Sequence, residues 1–173
     1  MNPIIKKNGL TFGIILAVIG VLTTTITYVT QLFTAWWITL IVFVVSIAVY
    51  CIMLSRTKKE LGGITFKEAF TTYFIAASIA VLVGTLFNIT LYNFVDPGAQ
   101  EIVKEQSIKA TVSFMKNMGT PTSQINDAVE RLENDNPLSI GKQLFGGVVG
   151  LAVSCVIGLI LAAIFKNRQT YQD

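Results

Sequence analysis

The stretch FNITLYNFVDPGAQEIVKEQ, Phe87 to Gln106, divides into halves suited to different solvents. Upstream of Asp96 there is no charged side chain as far back as Ala69, whereas downstream charges recur every few residues to Lys142. A charged side chain within a bilayer is costly and rare, so such a boundary marks where a chain leaves an apolar medium. Proline cannot continue the helical hydrogen-bond ladder and glycine frees the turn. Asp96-Pro97-Gly98 therefore reads as the exit from a membrane-spanning helix.

The rest of the chain has the same character. Hydrophobic residues make up 53% of the 173 positions and charged residues 13%, against about 25% charged in soluble domains. Besides Ala69 to Val95, two further blocks lack any ionisable side chain other than tyrosine and cysteine: Asn8 to Ser55 and Gln143 to Phe165. A hydrocarbon core about 30 Å thick needs roughly 20 apolar residues per helix. The first block is long enough for two crossings and the others for one each. Gln31 to Trp37 (QLFTAWW) is the expected turn inside the first block, since paired tryptophans suit the interface.

The predicted fold is all-α: a polytopic membrane protein with four spans near Leu10–Val29, Ala35–Leu54, Phe70–Val95 and Leu144–Phe165. Residues 1–95 hold spans one to three with a short loop at 55–69. Residues 96–137 form an extracytoplasmic helical hairpin, and 138–173 the fourth span and a tail. Lys6-Lys7 before an apolar run resembles a signal peptide. The run is long for one and a second span follows at once, so the segment is expected to be retained.

Four spans place both termini and the 55–69 loop on one side. That side carries eight basic residues (Lys6, Lys7, Arg56, Lys58, Lys59, Lys67, Lys166, Arg168) and the other five, Lys104, Lys109, Lys116, Arg131 and Lys142. The excess of basic residues near span ends predicts cytoplasmic termini. The net charge of +3 comes from this bias. No basic-aromatic patch accompanies it, so no nucleic-acid partner is expected.

The segment after Asp96 has helical patterning in two parts. Ile108, Val112 and Met115 recur at i, i+4, i+7, and Gly119-Thr120-Pro121 ends the run. Ser123 is a candidate cap for a second helix, in which Ile125, Val129 and Leu132 form a matching stripe. Pro137 is placed in the first turn of the fourth long helix. Each stripe is too narrow for an independent core. The six residues are expected to pack on each other, on the bundle rim or on a partner, with the hairpin folded back over spans three and four.

Within the membrane, small residues recur at four-residue spacing. Span four carries Gly146, Gly150, Ser154, Gly158 and Ala162; span three carries Ala76, Ala80 and Gly84, then Asn88 and Tyr92. Small side chains let helix backbones approach closely in lipid. The partner of this face is either inside the chain or in another chain. Asn88, the most polar side chain within a span, is expected to hydrogen-bond across helices, because an unpaired amide in an apolar medium costs several kcal/mol. Thr23 and Thr27 lie on one face of span one, where a threonine usually bonds a carbonyl of its own helix.

Asp, Glu, Lys, Arg and His, which ion-coupled transport needs at membrane depth, are missing from the predicted spans. There is no histidine, so the usual zinc patterns and nucleophile–base pairs cannot be assembled. Neither metal nor cofactor is expected, and the sequence argues for a non-catalytic protein. Two functions fit: an integral inner-membrane subunit that binds or stabilises another membrane protein, or itself as a homo-oligomer; alternatively, a small-molecule or lipid carrier with a polar groove near Asn88 and the span-one threonines.

ITFKEAF (Ile64 to Phe70) before span three and YNFVDP (Tyr92 to Pro97) at its exit resemble a Bacteroidota membrane family, the domain of unknown function numbered 4199. An outside segment ending in a small-residue fourth span completes the likeness. The resemblance implies four spans over nearly the whole chain and brings no catalytic residues. It also implies an accessory role beside a membrane-associated glycosyltransferase of the polyprenyl-phosphate type.

Overall fold

The first helix, α1 (Pro3–Thr30), opens with Pro3 in its first turn and Asn2 as its cap, whose side-chain oxygen accepts the Ile4 N–H at 2.9 Å. This computed structural model describes residues 1–167, so Arg168 lies outside the described residues. Among the described residues the chain forms six α-helices: α1, α2 (Trp36–Leu61), α3 (Phe66–Thr90), α4 (Ala99–Asn117), α5 (Thr122–Glu133) and α6 (Ile140–Phe165). A π-helical turn, Leu91–Val95, prolongs α3. α1, α2, α3 with its extension, and α6 are each long and apolar enough to cross a membrane. The chain is thus an all-α protein of multi-pass membrane character.

The turns follow local chemistry. α1 stops where Gln31 takes a left-handed conformation (φ 54°), and α2 begins at Trp36, within the expected QLFTAWW turn. The loop predicted over 55–69 shrinks to four residues. α2 runs through its basic end to Leu61, where Gly62 (φ 70°) adopts the left-handed cap that costs glycine least. α3 then starts on a capping box: the Thr65 hydroxyl accepts the Glu68 N–H, and Glu68 Oε2 accepts the Thr65 N–H at 2.9 Å. Charge-free blocks mark the part of a helix that lipid covers, and these helices outrun it.

Two expected boundary roles are overturned. Ser123 does not cap α5; Pro121 stands at the cap and Ser123 lies in the first turn. Pro137 lies in the turn before α6, whose cap position is Ser139.

α3 is the central helix, packed along α1 on one side and α6 on the other, with α2 mainly against α1. A Cβ at Gly9 would lie 2.9 Å from Ile75 Cβ, and one at Gly13 would lie 3.0 Å from Ala76 Cα. Gly9 and Gly13, one turn apart, let α1 and α3 touch backbone to backbone. The main core occupies the half of the bundle nearest the chain termini, around Phe12, Met53, Leu54, Tyr73, Ala76 and Ala162. A smaller cluster, Leu91, Tyr92 and Ala99 with Tyr28, Phe33 and Leu138 packed on it, closes the opposite end. Between the two clusters the helices are thinly packed, and the α2 residues from Trp36 to Val49 are all exposed or half-buried.

Candidate functional site

The most distinctive concavity lies between α3 and α6 in the half nearer the hairpin. It is an open groove of about 430 Å³. Ala80, Gly84, Thr85 and Asn88 line it from α3, and Gln143, Gly146 and Gly150 from α6. Tyr92 and Leu138 stand at its upper end.

The groove exists because the four-residue stripes do not stay on one seam. Each step of four along an α-helix advances about 40° beyond a full turn, so the steps from Gly146 to Ala162 swing nearly halfway round the helix. The α3–α6 seam instead runs through Gly147, Ser154 and Gly158. A Cβ at Gly147 would lie 2.7 Å from Thr85 Oγ1, and one at Gly158 would run into the Tyr73 ring. The Tyr73 and Ser154 hydroxyls are hydrogen-bonded at 2.7 Å. Of the predicted packing residues, Ser154 and Gly158 meet α3, but Gly146, Gly150 and Gly84 have open space where a Cβ would be. Ala76 faces α1 through Gly13 rather than α6. Ala80 is half-buried at the groove floor.

The expected cross-helix bond of Asn88 is not made. Among the described residues its carboxamide has no hydrogen-bond partner, because the facing α6 positions are glycines and the groove is open there. Gln143 donates to the Leu138 carbonyl, but its Oε1 is buried without a partner. Thr23 and Thr27 are not in this groove. Their hydroxyls donate to the Ile19 carbonyl at 2.8 Å and the Thr23 carbonyl at 3.0 Å, within their own helix. A shared polar path of Asn88 with the span-one threonines is therefore absent.

Beyond the groove the chain builds a hairpin on a fixed root. The Tyr28 hydroxyl donates to Asp96 Oδ2 at 2.7 Å, while Asp96 Oδ1 accepts the Ala99 N–H at 3.2 Å. Gln100 Nε2 donates to the Tyr92 carbonyl at 2.6 Å, and Gln100 Oε1 accepts from Asn136 at 2.9 Å. Asn93 Nδ2 donates to the Leu138 carbonyl at 3.2 Å. Asp96-Pro97-Gly98 is thus a joint tied to α1, α3 and the start of α6. Lys109 beside Glu105 at 2.6 Å holds that carboxyl below its ordinary range. Lys142 pairs with Asp135.

The hairpin stripes turn inward. Ile125 is buried, and Ile108, Val112, Met115, Val129 and Leu132 are half-buried where α4 and α5 pack together. None of the six belongs to the clusters that join the hairpin to the bundle. Folding back over spans three and four is therefore corrected: only the root, Ala99 and Val103, packs on the bundle end. Left outside are Phe114 and Met118, 64% and 68% exposed and one turn apart on or just past α4. Sequence reading missed this pair because it does not continue a stripe.

The family model described as "Protein of unknown function (DUF4199)" matches residues 11–167. The chain belongs to this family. No curated protein and no solved structure matches it. The two motifs that carried the DUF4199 resemblance now have structural roles. ITFKEAF supplies the Thr65–Glu68 capping box, and YNFVDP supplies Tyr92, Asn93 and Asp96 to the hairpin root.

A further polar contact of this DUF4199 chain went unread in the sequence. Asn8, 2% exposed, donates to Thr57 Oγ1 at 3.1 Å and Glu60 Oε2 at 3.0 Å, clamping α1 to α2. Its position at the edge of a charge-free block was the available signal. Among the described residues no group of His, Cys, Asp or Glu is arranged to hold a metal ion.

Proposed function

We propose that the protein is a non-catalytic integral subunit of a bacterial inner membrane, with cytoplasmic termini, that binds and stabilises another membrane protein. The observation that supports this is the α4–α5 hairpin. Its own apolar stripes are consumed between the two helices, its root is held by five side-chain hydrogen bonds, and Phe114 and Met118 stay uncovered. A patterned segment of this length costs about 1–2 kcal/mol per residue of backbone entropy to order, which a mere anchor would not need. Aromatic and methionine side chains are enriched at protein interfaces. A polyprenyl-phosphate glycosyltransferase, another membrane protein or a second copy of the chain is the partner class in this reading.

The test is copurification in mild detergent from the native membrane. Phe114→Ser with Met118→Ser should leave the thermal melting point unchanged and remove any stoichiometric partner. Full partner recovery with the double variant would place recognition elsewhere.

A further inference from the structure

The groove between α3 and α6 has a depth profile that points to its occupant. α3 with its π-helical turn spans Phe66–Val95, 30 residues, and its middle falls near Ala80. At 1.5 Å per residue, Asn88 lies about 12 Å from that midpoint toward the hairpin. α6 runs Ile140–Phe165, and Gln143 lies about 14 Å from its middle on the same side. A hydrocarbon half-thickness of about 15 Å places both amides just inside the boundary between acyl chains and headgroups. From there down to the midplane the walls are Gly84, Ala80, Gly146 and Gly150. Below, the Tyr73–Ser154 hydrogen bond and the Gly158–Tyr73 contact close α3 onto α6.

We propose that this groove is a lipid site of the hairpin-side leaflet, filled by one acyl chain of a glycerophospholipid whose polar head meets Asn88. The groove spans one leaflet only, the length of an acyl chain and half the length of a transmembrane helix. Open space at three glycines admits a chain of methylenes without displacing any side chain. The head of the groove holds the Asn88 carboxamide, whose amide donor and oxygen acceptor both lack a partner among the described residues. An unpaired polar group facing hydrocarbon is costly. A lipid carrying ester carbonyls and a donor in its headgroup satisfies both: the Asn88 Nδ2 donates to an ester carbonyl, and a headgroup ammonium or hydroxyl donates to Asn88 Oδ1. Phosphatidylethanolamine and phosphatidylglycerol carry such donors; phosphatidylcholine does not. This inference is independent of the partner-binding role, which concerns the hairpin.

The test uses the full chain in liposomes containing phosphatidylethanolamine with a diazirine on its acyl chain, with labelled residues mapped by mass spectrometry. Labelling should concentrate on residues 80–92 and 143–150. Unlabelled phosphatidylethanolamine or phosphatidylglycerol should compete about tenfold better than phosphatidylcholine. Gly150→Leu, which fills the groove, and Asn88→Leu, which removes its polar head, should each reduce groove labelling about tenfold with no fall in melting temperature. Labelling spread evenly over the exposed faces of α1, α2 and α6, or undiminished in both variants, overturns the proposal. So does a groove that is closed to the probe in native membranes and labelled only after purification, since a polypeptide then fills it.

Discussion

The Tyr73 hydroxyl lies 2.7 Å from Ser154 Oγ, one turn before Gly158, whose missing side chain makes room for the same tyrosine ring. This pairing locks α3 to α6 in one half of the bundle; in the other the helices meet at Gly147 and Thr85, while Gly146 and Gly150 face the open groove. The two halves of the small-residue stripe on α6 therefore do opposite things.

The consequence is a contrast between two glycines. Gly158→Leu should lower stability by about 1–3 kcal/mol, the usual cost of overpacking, because Tyr73 is 1% exposed and has nowhere to go. Gly150→Leu should leave the melting temperature in detergent unchanged or raised, since glycine is the poorer helix former. Equal destabilisation by both would mean that the groove is filled by protein.

A second contrast concerns the junction of α1 and α2. Asn8→Ala removes two hydrogen bonds from a buried side chain and should cost roughly 1–2 kcal/mol. Lys7→Ala, one residue away and exposed, should change nothing measurable. Thermal melting of the two variants in one detergent checks this.

Why one part of the structure was legible and another not follows from these residues. Spans and hinge were readable because charge exclusion from lipid acts on every residue in a block, as from Ala69 to Val95. The capping box at Thr65 and Glu68 within ITFKEAF went unread, although its Thr-x-x-Glu spacing was there to be seen. Contacts depend on angle, and a drift of about 40° per four residues sends Gly146 and Gly158 to different neighbours though they share one stripe. The α1–α3 approach through Gly9 and Gly13 carried a readable small-residue spacing. Asn88 looked like a cross-helix bond because sequence alone does not show that glycines face it.

The proposed orientation has a direct check. In a background lacking Cys51 and Cys155, single cysteines at Lys59 and Ser123, both exposed, report opposite faces of the membrane. An impermeant thiol reagent applied to spheroplasts should label Ser123→Cys and spare Lys59→Cys until the cells are opened. The reverse pattern would invert the topology and bring the hairpin to the cytoplasm.

The hairpin root sets how firmly the exposed Phe114–Met118 face is held. Tyr28 contributes a donor to Asp96 and an edge-to-face contact with Tyr92, the ring centroids lying 6.4 Å apart. Tyr28→Phe keeps the ring and deletes only the hydroxyl, so the bundle should stay intact while Asp96 loses its tie to α1. Amide exchange should then quicken severalfold in the first turns of α4 and remain unchanged in α1 and in α3 before Leu91. Asp96→Asn should act more mildly, since its amide can keep one oxygen for the tyrosine or for the Ala99 N–H. Partner copurification should weaken in step with root exchange across these variants, because a loosened hairpin must be re-ordered on binding. Exchange that quickens while partner recovery holds would show that the root serves stability alone, and that the recognition face works without being fixed.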